Sequence, residues 1–257
     1  MKCKICNHPT ETIFNALVLK KHTVNYYKCS HCGFLQTEQP FWLEESYKSP
    51  INISDTGIIV RNQRLARIST SLIILLFNQK EKFVDYAGGY GLFTRMMRDI
   101  GFDFYWSDPY TQNLLAKNFE IEQGKKYHLA TSFESFEHFK DPIAEVIKIL
   151  EVCDNIILST ELVPEPTPAV SDWWYYGAEH GQHIALYSKK SFIELANRLN
   201  LHYYNMGNVH LLTKKKIPVH ARILLQLPFV KYILYVTSFL FTPFLKSKTM
   251  DDLVSAR

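Results

Sequence analysis

The stretch that decides the fold is Val84-Asp85-Tyr86-Ala87-Gly88-Gly89-Tyr90-Gly91. It stands between a short apolar run, Lys82–Tyr86, and a segment of helical spacing, Leu92–Ile100, closed by Gly101. Small residues at a strand-to-helix turn let the backbone approach a ligand, and the helix N-terminus favours a negative one. Read as a dinucleotide fingerprint from Gly89, the turn lacks its third glycine, since Thr94 stands there. Read from the acid, it is Asp85-x-Ala87-x-Gly89-x-Gly91.

Outward from this turn, strands and helices alternate. Phe102–Trp106 reads as a second strand, stopped at Asp108-Pro109, and Gln112–Phe119 as a polar helix. Tyr127–Phe133 is a third strand. Asp141-Pro142 opens a helix with Ile143, Val146, Ile147 and Leu150 on one face, and Asn155–Ser159 is a buried strand. A further helix starts near Ser188, capped by Ser188 or by Ser191 with Glu194. Leu201–Met206 and Asn208–Thr213 are parted only by Gly207, which favours an antiparallel pair. The expected fold is α/β: a Rossmann-like, mostly parallel sheet ending in an antiparallel strand pair, preceded by a small N-terminal zinc ribbon.

The ribbon is read from four cysteines. Cys3 and Cys6, then Cys29 and Cys32, form two CxxC pairs. Each pair presents two thiolates to one ion, and a hairpin between them completes a tetrahedral set, so structural zinc is expected at all four. His8 and His31 read as neighbours of the site rather than ligands, and Cys153 as a core cysteine. The organisation is then 1–40 zinc ribbon, 41–79 linker and helix, 80–213 main domain and 214–257 a basic, apolar tail.

Composition bounds the function. The chain has 257 residues, 47% hydrophobic and 21% charged, with a net charge of +4. This is ordinary globular composition, which excludes a disordered or collagen-like chain. A charge of +4 is too mild to argue for nucleic acid by itself, so no nucleic-acid partner is expected, although zinc ribbons can bind RNA. Met1-Lys2-Cys3-Lys4 carries no apolar signal region, so a cytoplasmic location is expected. The tail segment Ile223–Leu245 is apolar but broken by Gln226, Pro228, Lys231 and Pro243. It reads as a helix packed on the domain, with peripheral membrane contact as the alternative.

The acid-first frame resembles the class I S-adenosylmethionine-dependent methyltransferases, whose first motif is acid-x-Gly-x-Gly-x-Gly. Ala87 replaces the first glycine, a departure that looks minor because alanine is small. The resemblance implies a cofactor site at Asp85, Ala87, Gly88, Gly89 and Gly91, with Asp108 on the ribose hydroxyls. Thr131–Phe139 looks like the family's fourth-strand segment, which puts Ser132 and Phe133 on the cofactor and Glu134, Glu137 and His138 at the ligand edge of the sheet. The lesser alternatives are that Asp108 opens an Asp-Pro turn and that the acids simply start a helix. With the cysteine module in front, the chain is closer still to zinc-ribbon methyltransferases of bacterial sugar metabolism. That implies a small-molecule acceptor, a sugar or nucleotide-sugar.

The last candidate segment is Trp173-Trp174-Tyr175-Tyr176-Gly177-Ala178-Glu179-His180-Gly181-Gln182-His183. Methyl transfer from a sulfonium needs alignment, a dry pocket and, for a hydroxyl acceptor, a base. His180 or His183 is expected to be that base, with Glu179 orienting it. The aromatics would wall the acceptor or simply pack. Arg61, Arg64 and Arg67 recur every third residue, as a clamp for an anionic group or as a solvated helix face. The alternative for the whole chain is a non-catalytic binding module, with ribbon and tail docking a partner.

Overall fold

The computed structural model describes residues 1–47 and 55–255; part of the linker expected within 41–79 therefore lies outside the described residues. In chain order the elements are β1 (Thr10–Val18), β2 (His22–Cys29), β3 (Leu35–Thr37), α1 (Leu43–Ser46), α2 (Ile58–Leu76), β4 (Lys82–Tyr86), α3 (Leu92–Ile100), β5 (Asp103–Ser107), β6 (Leu129–Phe133), α4 (Pro142–Val152), β7 (Asn155–Ser159), β8 (Ala185–Leu186), α5 (Lys189–Arg198), β9 (His202–Met206), β10 (Val209–Thr213), α6 (Val219–Leu225), α7 (Val230–Phe241) and α8 (Thr249–Ser255).

The main sheet has the order β5-β4-β6-β7-β10-β9. β4 pairs parallel with β5 and β6, and β6 with β7, while β10 runs antiparallel to both β7 and β9. From β4 the chain moves to β5 on one side and then to β6 on the other. That reversal opens a crevice at the carboxyl ends of the strands, where open α/β sheets bind ligands.

Successive strand residues face opposite layers, as a period of two requires. Phe83, Leu129, Ile157 and Leu211 point to one face and pack with Leu65, Leu72, Met97 and Leu234 of α2, α3 and α7. Val84, Ala130, Ile156, Leu158 and Leu212 point to the other, against Val146 and Ile149 of α4 and Phe192 and Leu195 of α5. The same cluster takes in Cys3, Cys29, Cys32 and Phe34, so the cysteine module shares the main domain's core.

A second sheet, β1-β2-β3-β8, makes this sharing covalently distant but spatially tight. β8 follows the histidine segment and pairs with β3 through Leu35–Leu186 and Gln36–Ala185. Arg198 donates to the Ile5 carbonyl at 2.6 Å, and Ser188 to the Cys32 carbonyl at 2.6 Å.

Three sequence expectations are adjusted here. Gln112–Phe119 is not a helix. The Asn113 side chain accepts from Ala116 N–H and donates to the Ala116 carbonyl and to Glu120, a local bonding pattern that competes with helix formation. The start of α5 uses Ser188, whose side chain and that of Ser191 cap each other's backbone; Glu194 pairs instead with His31 at 3.3 Å. The three arginines diverge. Arg61 pairs with Asp55, Arg64 donates to Asn208, and Arg67 sits 4.3 Å over the Phe239 ring of the tail. The tail itself packs on α2, where Ser71 donates to the Leu234 carbonyl. Among the described residues no single helix is long and apolar enough to cross a membrane; the bent α6–α7 pair passes that test only jointly. α8 is latched by Arg98, whose guanidinium holds Asp252 at 2.7 Å.

Candidate active site

The site has two sides. The first is the turn between β4 and α3. Asp85 ends the strand, 3% exposed, and accepts from Thr131 at 2.9 Å and Thr94 at 3.2 Å. Burial pushes its carboxyl up to about 7, against the pull of those hydroxyls. Gly88 is required by space: a Cβ there would lie 2.7 Å from an Asp85 oxygen and 2.9 Å from the Trp106 ring. Gly89 has φ +54 and its α-carbon faces open space, so the backbone is bare where a ligand would lie. Gly91 caps α3 in the left-handed region at φ +86.

Ala87 is the exception. Its φ of +58 is also left-handed, so the family's glycine matters here for backbone freedom. Alanine's small size does not remove that strain, which corrects the sequence reading.

Asp108 lies just past β5, beside the turn. One of its oxygens accepts from Gly89 N–H at 2.9 Å, and the other from Tyr110 and Thr111 N–H at 2.8 and 3.0 Å. The carboxylate thus braces the glycine turn as well as facing the crevice. Ser132 is buried and shares a hydrogen bond with Ser135, while Phe133 packs edge-on against Phe93 at 4.8 Å. An open-faced glycine, a helix N-terminus and a carboxylate beside them fit an adenosyl cofactor with ribose hydroxyls to bind.

The second side is a cluster at the ends of β6 and β7. Glu134 has φ +48, a strained position for a non-glycine residue at a ligand edge. Ser159 donates to it at 2.6 Å and Tyr175 at 3.4 Å, and burial raises its pKa. Glu137 is fully buried, and among the described residues neither carboxyl oxygen meets a donor at hydrogen-bonding geometry; the Tyr175 and Thr160 hydroxyls lie nearby. Burial, with the Glu134 charge beside it, pushes Glu137 up to about 8.

Three histidines complete the cluster. His138 and His183 have ring centroids 5.1 Å apart, and His180 and His183 4.8 Å. His183 Nδ1 donates to the Tyr175 carbonyl at 2.6 Å, which leaves Nε2 as a lone pair. His138 Nδ1 bonds the Tyr47 hydroxyl at 2.6 Å. His180 Nδ1 accepts from Gln182 N–H at 3.3 Å, so its neutral ring carries the proton on Nε2. Burial holds all three below the usual histidine range, His138 at about 3.

The expected role of Glu179 is not seen. It is exposed, and among the described residues it makes no hydrogen bond or ion pair; only its charge reaches His180. Neighbours hold the histidine loop instead. Trp42 Nε1 donates to the Gly181 carbonyl at 2.8 Å, Gln182 to the Ser46 carbonyl at 2.9 Å, and Leu19 N–H to the Ala178 carbonyl at 2.8 Å. The aromatic run splits. Tyr175 enters the cluster, Tyr176 packs on Tyr26, and Trp174 is 78% exposed. The sequence reading missed Tyr47 and Thr160, which carry no local motif.

The cysteines converge. All four sulfurs lie within 4.8 Å of one another, with Cys3–Cys32 at 3.6 Å and Cys6 at 3.5 Å from both Cys29 and Cys32. A zinc tetrathiolate with bonds of about 2.3 Å has edges near 3.8 Å, so the set fits such an ion.

The match to the model of a methyltransferase domain over residues 60–205, more than half of the chain, decides the family. The chain belongs to the methyltransferase-domain family. It is a class I methyltransferase, the class whose methyl donor is S-adenosylmethionine. The match runs from α2 through the glycine turn and the cluster to β9. No curated protein matches the sequence. Solved structures similar to this methyltransferase include an S-adenosylmethionine-dependent methyltransferase of Thermotoga maritima, at 10% identity and TM-score 0.48, over 68% of this chain and 99% of that one. Human N-acetylserotonin methyltransferase in complex with S-adenosylmethionine is similar over 60% of this chain and 52% of that one, at 11% identity and TM-score 0.44. An O-methyltransferase family 2 protein of Planctomyces limnophilus in complex with apigenin is similar over 67% and 65%, at 11% identity and TM-score 0.43. Family membership rests on the sequence match.

Proposed function

We propose that the chain transfers the methyl group of S-adenosylmethionine to a small molecule held against the histidine cluster, and that this acceptor is a sugar or nucleotide-sugar. The observation that carries this reading is the position of Tyr47. Its hydroxyl bonds His138 in the cluster, and burial raises its pKa, with smaller contributions from the charges of Glu137 and of Asp108 at the glycine turn. Tyr47 thus bonds the cluster directly and feels the charge at the glycine turn.

The donor is already activated, so the protein's work is alignment and removal of the acceptor's proton. Asp85 and the glycine turn would hold the cofactor, with Asp108 on its ribose and Ser132 and Phe133 beside it. His183 is the better candidate base. Its Nε2 lone pair is fixed by the Tyr175 carbonyl, whereas the bond from Gln182 leaves His180 with a proton on Nε2. Burial weakens His183 as a base, with smaller lowering by His138 and His180, and the bond to the Tyr175 carbonyl partly offsets this.

Two features support a nucleotide-sugar. Arg61 lies in the field of Glu134 and Glu137, and a diphosphate would take it over from Asp55, its present partner. Tyr175 offers an aromatic wall beside the histidines. Zinc at Cys3, Cys6, Cys29 and Cys32 would be structural, since sulfur fills all four positions. It would hold β3 for β8 and so fix the histidine loop.

The test is to incubate zinc-loaded protein with methyl-labelled S-adenosylmethionine and a panel of nucleotide-linked deoxysugars, following label and S-adenosylhomocysteine together. One labelled sugar product per S-adenosylhomocysteine is the expected result. Label entering only non-sugar acceptors would overturn the sugar assignment, and no affinity for the cofactor would overturn the whole reading.

A further inference from the structure

We propose that Glu137, His138 and His183 hold a divalent metal ion whose open positions bind the acceptor's hydroxyl oxygen. This deepens the methyl-transfer reading and rests on it. The three side chains can each offer one ligand atom, all within 4.8 Å of one another. They come from two segments that the backbone clamps together: Glu137 and His138 follow β6, His183 precedes β8, and Ile184 N–H donates to the Glu137 carbonyl at 2.8 Å.

Glu137 is the independent observation. It is fully buried, and among the described residues neither of its oxygens has a hydrogen-bond partner. A carboxyl so placed is costly unless something meets it, and a cation is the partner that two unpaired oxygens fit. The histidines are set up to match. His183 spends Nδ1 on the Tyr175 carbonyl, and His138 spends Nδ1 on the Tyr47 hydroxyl. Both Nε2 atoms are left for the cluster, and His138 Nε2 lies 3.9 Å from a Glu137 oxygen. Backbone and hydroxyl partners on the far ring nitrogen are the usual support of metal-binding histidines. Both histidines are partly exposed, so the site is within reach of solvent. One carboxylate and two imidazoles leave coordination positions free and suit zinc, cobalt, manganese or iron(II).

The chemistry balances with no further reactant. The acceptor hydroxyl binds the ion and loses its proton to Glu134, which Ser159 and Tyr175 hold beside the cluster. The metal-bound alkoxide attacks the sulfonium methyl. The oxygen–carbon bond forms as the carbon–sulfur bond breaks, and the sulfur leaves as a neutral thioether. With a metal present, His183 acts as a ligand, and the ion takes over activation of the hydroxyl.

The experiment is a cobalt(II) titration of full-length, zinc-loaded protein, read by visible absorption. Nitrogen and oxygen ligands give weak d–d bands without thiolate charge transfer, which separates this site from the cysteines. The expected result is one equivalent bound by the wild type, with at least about tenfold weaker binding in Glu137→Gln and in His183→Asn. No cobalt bound beyond the cysteine site, or unchanged binding in both variants, would overturn the proposal. S-adenosylmethionine affinity is measured on the same samples. If the wild type binds S-adenosylmethionine but no cobalt, only the metal site is overturned, whereas a wild type that binds no S-adenosylmethionine overturns the methyl-transfer reading.

Discussion

The glycine turn and the histidine cluster are built in opposite ways. The turn is made by one contiguous stretch, Asp85–Gly91, braced by Trp106 on the next strand and by Asp108 just past it. The cluster draws Tyr47 from after the ribbon, Glu134, Glu137 and His138 from behind β6, Thr160 from behind β7, and Tyr175, His180 and His183 from the loop that feeds β8. Its loop is then held by Leu19, Trp42 and Ser46, more than a hundred residues away in sequence. The cofactor side therefore depends on local geometry, and the acceptor side on the ribbon.

The largest way to break that comparison is at the ribbon. Cys32→Ser should lose the metal, and structural zinc sites contribute on the order of 10 kcal/mol to folding. Hydrogen exchange should quicken at Leu35 and Leu186, where β3 meets β8, and methyl transfer should fall to background. Amides of β4 and β6 should stay protected. If those strands lose protection equally, the two sides are not separable.

A smaller cut falls within the cluster. His183→Ala should lower kcat by about 10²–10⁴-fold, while S-adenosylmethionine affinity changes by less than about twofold. His180→Ala should cost less, because its neutral ring presents a proton to the cluster rather than a lone pair. Steady-state kinetics on the two variants checks the order.

On the cofactor side the expected effects are modest. Asp85 titrates near 7 in the folded chain and near 3.8 when exposed. Between those values the folded protein keeps a proton that the unfolded chain releases. Stability therefore falls as pH rises through that window, by up to about 4 kcal/mol, and levels off above it. Asp85→Asn should flatten the slope in urea melts run from pH 4 to pH 8. The smallest effect is Ala87→Gly, which relieves left-handed strain and should stabilise by about 0.5–1 kcal/mol. A destabilised glycine variant would mean that the φ of +58 carries no strain.

The same contrast explains what could be read from sequence. The strand–helix alternation, the antiparallel end of the sheet and the acid-first turn were legible because each is a short pattern. Ala87 was only half legible: its size is in the sequence, its backbone angle is not. The segment after Asp108 reads as a helix by polarity, yet the Asn113 side chain satisfies Ala116 locally and the helix does not form. Glu179 stands next to His180 in sequence and therefore looks like its partner, but the loop turns it to solvent. Tyr47 and Thr160 carry no motif at all. Their roles exist only because two sheets are packed together, and β8 belongs to the ribbon's sheet while following the methyltransferase strands in sequence.

The most direct test is calorimetric titration of metal-analysed wild-type protein and His183→Ala with S-adenosylmethionine and S-adenosylhomocysteine, with NAD as comparator. Both proteins should bind both adenosyl ligands with closely similar affinity and neither should bind NAD. Failure of the wild type to bind the adenosyl ligands would contradict the cofactor assignment. Loss of binding in the variant alone would contradict the division into a local cofactor side and a ribbon-dependent acceptor side.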